Sequence, residues 1–130
     1  MRVLGYTWVG VRTSDLESTA RFFADVMGFS ESWRGKGVVQ FEMPSGQLFE
    51  VFDPESRFYR LHACPVLAFQ VENVREAREY LAARDIVFET EIEGSDSEAW
   101  TYFRGPDGYL YELWQTVRPF KALARIADNR

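Results

Sequence analysis

The sequence predicts an α+β fold made of two tandem copies of one strand–helix–strands unit within a single domain, residues 1–130. Three observations lead there. A chain of 130 residues with 46% apolar and 16% aromatic content can bury one real core and no more. Phe41-Glu42-Met43-Pro44-Ser45-Gly46-Gln47-Leu48-Phe49-Glu50 lies over Phe103-Arg104-Gly105-Pro106-Asp107-Gly108-Tyr109-Leu110-Tyr111-Glu112 with identity at Phe, Pro, Gly, Leu and Glu, the mark of an internal duplication. Upstream, Val9–Leu16 parallels Leu67–Val74, each a short strand that runs into a helix cap.

In chain order, Met1 to Tyr6 reads as the start of a strand, and Ser14 with Glu17 has capping-box spacing. Leu16, Ala20, Phe23, Val26 and Met27 then recur at helical intervals up to Gly28, which suits a C-terminal cap. Strands are expected at Val38–Met43 and Leu48–Phe52, joined by the Pro44-Ser45-Gly46 turn, because Pro presets one turn dihedral and Gly accepts a positive φ. Asp53–Leu61 is the boundary loop between modules 1–61 and 62–130. The second copy repeats the scheme: a cap at Asn73 with Glu76, a helix carrying Val74, Ala77, Tyr80 and Leu81, and strands at Ile86–Ile92, Ala99–Phe103 and from Leu110 onward. Residues 118–130 place Phe120, Leu123, Ala124 and Ile126 at helix-like spacing, as a terminal helix or a frayed tail.

Composition removes several function classes. The net charge is −5, and the basic residues are scattered, so there is no clustered Lys and Arg footprint for nucleic acid. No apolar run approaches the roughly 20 residues that cross a bilayer, and the N-terminus lacks a signal-peptide pattern; a cytoplasmic protein is expected. The one cysteine, Cys64, cannot form an internal disulfide, and the one histidine, His62, cannot build a His-rich zinc site. Cys64 is expected to be buried and inert, and His62 to be a surface residue ahead of a strand.

Trp8-Val9-Gly10-Val11-Arg12-Thr13-Ser14-Asp15-Leu16, Phe22-Phe23-Ala24-Asp25-Val26-Met27-Gly28-Phe29, and Gly105-Pro106-Asp107-Gly108 leading to Glu112 resemble the vicinal oxygen chelate superfamily, which includes glyoxalase I, extradiol dioxygenases, antibiotic resistance proteins and methylmalonyl-CoA epimerase. The resemblance covers nearly the whole chain. It implies tandem βαβββ modules that form cup-shaped mixed sheets, commonly paired as a homodimer. It also implies four ligand positions, which fall on Trp8, Glu50, Val66 and Glu112. The metal-dependent members carry His or another ligating side chain at the first and third; indole and isopropyl offer no lone pair to a cation. No cofactor is therefore expected, with a divalent metal as the alternative.

Strand alternation puts Leu48, Glu50 and Phe52 on one face, and Leu110, Glu112 and Trp114 on one face, so both carboxylates should emerge among apolar groups, with Trp8 and Tyr6 pointing the same way. Three readings stand. A small cationic or aromatic ligand could be held among Trp8, Trp33, Phe41, Phe52, Val66, Trp100, Tyr102 and Trp114 with Glu50 or Glu112 as counter-charge. Alternatively, Glu50 or Glu112 is a general acid or base in a lyase, isomerase or dioxygenase-like enzyme, with Tyr102 steering the proton. In the third reading both carboxylates are structural hydrogen-bond acceptors, and the protein has an interaction role only.

Overall fold

The computed structural model describes residues 1–116; the expected terminal helix at residues 118–130 lies outside them. Among the described residues the strands are β1 (Val3–Arg12), β2 (Ser30–Gly35), β3 (Val38–Glu42), β4 (Leu48–Phe52), β5 (Val66–Val71), β6 (Glu93–Gly94), β7 (Glu98–Arg104) and β8 (Leu110–Thr116). The helices are α1 (Leu16–Arg21) and α2 (Val74–Ala82). The arrangement is α+β with mixed strand pairing, as the sequence predicts.

The chain divides into two compact units, and β1 contributes to both. Among the described residues, Met1–Trp8 belongs with the chain from Val66 to Thr116, and Val9–Pro65 forms the other unit. In the Val9–Pro65 unit the strand order is β2-β3-β4-β1, with β2–β3 and β3–β4 antiparallel. In the other unit it is β1-β5-β8-β7-β6, where β5 and β8 run parallel and β7 and β8 antiparallel.

Each unit buries one sheet face under its helix. In the Val9–Pro65 unit, Ala20 of α1 packs on Val39, Phe41 and Val51, with Phe23, Phe29 and Phe49 around them. The Phe23 and Phe49 rings meet edge to face at 4.7 Å, the geometry that the ring quadrupole favours. Asp15, not Ser14, caps α1: its carboxylate accepts the Ser18 amide at 3.1 Å, and the Thr13 hydroxyl accepts the Asp15 amide at 3.1 Å. The apolar period predicted one helix to Gly28, whereas α1 gives way at Phe22–Val26 to a π-helical turn. Widening the turn by one residue shifts the later apolar positions off the buried stripe, which leaves Val26 and Met27 exposed.

In the second unit, Val74 and Ala77 of α2 pack on Val71, Ala99, Phe103 and Leu113. The Asn73 cap is as predicted, its side chain accepting the Glu76 amide at 2.9 Å. The strand expected at Ile86–Ile92 reduces to an isolated bridge, Phe88 to Phe103. Arg78 explains this: it donates to the Thr90 carbonyl at 2.8 Å and lies 4.8 Å from the Phe88 ring, and the Thr101 hydroxyl donates to the same carbonyl at 3.1 Å. Side chains there take the place of ladder bonds. The two Pro-x-Gly hairpins form as predicted, with Gly46 at φ +97° and Gly108 at φ +85°.

Two side chains differ from expectation in their surroundings. Phe41 is fully buried on the helix face; it is core, on the opposite side of β3 from Glu50's row, and not a ligand contact. His62 is only 1% exposed, stacked on Phe52 at 4.7 Å, with Nδ1 2.8 Å from the Phe58 carbonyl oxygen. A carbonyl only accepts, so Nδ1 carries the proton and Nε2 holds the lone pair. A 3₁₀ turn at Tyr59–Leu61 folds the imidazole inward, while Cys64 is exposed. The surface reading of His62 and the buried reading of Cys64 are thus exchanged.

Truncation of Phe41 to Ala should cost about 3–5 kcal/mol in a denaturant titration, as a core cavity does, without altering the opposite face of β3. Burial, with a smaller contribution from Arg12, pushes the His62 imidazole down to about 4. The neutral ring is the folded form, so the unfolded chain takes up the proton first. Stability should be at its full value above pH 6.5 and fall as the pH drops toward 4, by about 3 kcal/mol. His62→Phe should remove that part of the pH dependence in thermal melts from pH 7.5 to 4.

Candidate functional site

Apart from Phe41, the strand candidates of each unit are described on the sheet face away from the helix. In the Val9–Pro65 unit, Val38, Gln40 and Glu42 of β3 alternate with the core residues Val39 and Phe41, and Leu48, Glu50 and Phe52 of β4 alternate with Phe49 and Val51. Gln40 pairs with Glu50 on one side and with Trp33 on the other. A β-bulge between Glu31 and Trp33 leaves Ser32 as the extra residue of β2. The Ser32 hydroxyl lies 3.0 Å from Gln40 Oε1, and Gln40 Nε2 donates to Glu50 Oε2 at 3.3 Å.

Trp33 is 53% exposed, unlike the buried indole that an aromatic cup would need. Its ring lies along β2 over Gly35, where a Cβ would sit only 2.5 Å from the ring. Phe52 is 4% exposed, between His62 and Phe58. Arg12 donates to the Tyr59 carbonyl at 3.4 Å and stands 4.5 Å from the centre of that residue's ring.

In the other unit, Ala68, Glu112 and Tyr102 are consecutive cross-strand partners over β5, β8 and β7. Gln70, Trp114, Trp100 and Glu93 form the next row. Val66, Leu110 and Trp114 are buried, and Glu112 is only 4% exposed among them. Tyr102 is likewise buried, whereas Trp100 is partly exposed. Trp8, on the β1 segment of this unit, is buried. Tyr6 is exposed and its ring lies 5.8 Å from that of Phe69, a residue packed against the α2 core; it does not share the buried setting of Trp8.

The duplication is therefore visible at the site. Glu50 and Glu112 occupy matching strand positions, and each faces a hydrogen-bonding residue one strand over, Gln40 in one copy and Tyr102 in the other. Reading the sequence missed Gln40 and Ser32. The available signal was a single amide inside the apolar run Val38-Val39-Gln40-Phe41, a polar residue at a position where alternation calls for a partner.

Trp8 and Val66 carry no lone pair for coordination, and among the described residues no group of three or more His, Cys, Asp and Glu is placed to hold a metal ion. No helix among them is long and apolar enough to cross a membrane.

Several solved structures share the fold. Methylmalonyl-CoA epimerase from Streptomyces coelicolor, a variant in complex with 2-nitronate-propionyl-CoA, is 16% identical over 93% of this chain and 100% of its own, with a TM-score of 0.73. The epimerase from Mycobacterium tuberculosis is 16% identical over 97% and 93%, with a TM-score of 0.72. A glyoxalase/bleomycin resistance protein/dioxygenase superfamily member from Vibrio splendidus 12B01 is 18% identical over 82% and 95%, with a TM-score of 0.62. No curated protein matches the sequence. The family model for the Glyoxalase/Bleomycin resistance protein/Dioxygenase superfamily matches residues 5–113, and with the duplicated units already described the chain belongs to that superfamily.

Proposed function

We propose that the protein binds a small cationic or aromatic ligand on the helix-free faces of its sheets, as a cytoplasmic homodimer that needs no metal. The observation that carries this reading is that each copy aims one carboxylate, Glu50 or Glu112, from the middle of such a face with aromatic rings in the same or the next row. Glu112 is only 4% exposed, in one row with Tyr102, and a ligand N–H that adds to the hydrogen bonding of so enclosed a carboxylate gains strength from the low local dielectric. The acidic net charge of −5 favours cations in the same sense.

A second reading has one observation behind it. Tyr102 stands directly across from Glu112, so the pair can share a proton, with Glu112 taking it from a carbon or oxygen acid and the phenol donating to the developing oxyanion. The epimerase structures that share the fold hold acyl-CoA compounds, which makes a thioester the substrate to try for this reading.

Thermal-shift titration separates the readings, because a ligand raises the melting temperature by mass action. A shift with aromatic cations and none with Zn, Ni, Mn, Fe(II) or Co is the expected result; a large stoichiometric metal response would defeat the proposal. Glu112→Gln keeps the side-chain shape and removes the charge. It should weaken an aromatic cation about tenfold or more, whereas lost turnover of a thioester with its affinity retained would favour proton transfer.

A further inference from the structure

We infer that the start of α2 and the turn between β6 and β7 enclose a further binding site, on the α2 side of the sheet, for a small zwitterion such as an aliphatic α-amino acid. Its residues all belong to the unit formed by Met1–Trp8 and Val66–Thr116, and it does not depend on the binding reading above. A cavity of about 340 Å³ lies there, at the small end of the range that ligand pockets cover. Gln115, Ala99 and Gly94 are successive cross-strand partners over β8, β7 and β6. That row carries a methyl at Ala99 and no side chain at Gly94, which leaves space in front of α2. Ala99 with Val74 and Ile92 gives the space an apolar floor.

Gln115 shows which polarity the gap accepts. Its Oε1 accepts the Val74 amide at the start of α2 at 2.9 Å, and its Nε2 donates to the Asp96 carbonyl in the turn at 3.2 Å. One side-chain amide thus spans the cavity wall to wall, with its acceptor end toward α2 and its donor end toward the turn. An α-amino acid head has the same polarity and about the same reach, since its carboxylate and ammonium sit on one carbon with a hydrogen bond beyond each.

The other polar side chains of the two walls repeat that direction. On the α2 wall, Asn73 Oδ1 accepts the Glu76 amide at 2.9 Å, so its other end is Nδ2, which only donates. Arg75 adds a guanidinium to the same wall, and the Asp96 carboxylate stands on the turn wall. Among the described residues, neither the Arg75 guanidinium nor the Asp96 carboxylate is held in a hydrogen bond or an ion pair. The first-turn amides of Val74 and Glu76 are taken by Gln115 and Asn73, so side chains, and not a bare helix end, recognise the anionic end of the ligand. A carboxylic acid without an amine satisfies only the α2 wall, and an amine without a carboxylate only the turn. A ligand that carries both meets both walls, and its hydrocarbon rests on Val74, Ile92 and Ala99.

The test titrates the full chain with L-leucine and follows the backbone ¹⁵N–¹H signals of Gly94 and Ala99 and the side-chain amide of Gln115. All three should move together and saturate. Isocaproate, which lacks the ammonium, and isoamylamine, which lacks the carboxylate, should each bind about tenfold more weakly, the usual effect of losing a hydrogen bond to a charged group. Asp96→Asn should weaken L-leucine about tenfold and leave isocaproate unchanged. Arg75→Gln should weaken L-leucine by a similar factor and leave isoamylamine unchanged. Both side chains are exposed, so the substitutions keep the fold. Signals that stay in place through an excess of L-leucine overturn the site. Equal affinity for isocaproate or isoamylamine, or an L-leucine affinity indifferent to both substitutions, overturns the zwitterion assignment and the wall polarity behind it.

Discussion

A helix covers one face of a sheet, and a strand can hide only alternate side chains beneath it. That period of two settles what each candidate residue can do. Val39, Phe41 and Val51 under α1, and Leu113, Ala99 and Phe103 under α2, supply the apolar burial. Their neighbours in sequence are turned to the other face whatever their chemistry. Gln40, Glu50, Tyr102 and Glu112 are held in fixed rows because moving any of them by one residue would pull a core side chain out from under a helix. The precision of the site is borrowed from the packing behind it.

The two copies have used the same rows differently. Opposite its glutamate, one copy has an amide that can both accept and donate, tied to a hydroxyl at a bulge. The other has a phenol on a strand whose surroundings are almost dry, with Glu112 at 4% exposure. A half-buried carboxylate next to a donor is the cheaper arrangement to keep charged; the enclosed one makes heavier demands on its neighbours. Duplication gave both the same backbone frame, and the side chain across the strand pair sets the character of each carboxylate.

Much of this frame was legible in the residues. The Phe41 to Glu50 and Phe103 to Glu112 match located both hairpins and both carboxylates, because turn chemistry and strand alternation are local and leave a direct trace. Asn73 was legible for the same reason. What escaped depends on contacts distant in sequence. Phe41 looked available to a ligand until α1 was placed over it, and His62 looked like a surface residue until a 3₁₀ turn folded it onto Phe52. The strand expected at Ile86–Ile92 had the right letters but lost its ladder to Arg78 and Thr101, partners that no local pattern announces. β2 was missed because Ser30-Glu31-Ser32-Trp33-Arg34-Gly35 is an exposed edge, where burial imposes no alternation.

The sequence repeat and the compact units do not coincide. The first eight residues belong to the body built mainly from the second copy, and the chain enters the other unit only at Val9. A proteolytic or genetic cut at the boundary of the two copies would therefore sever one body from part of its own β1, and neither product would be a complete unit.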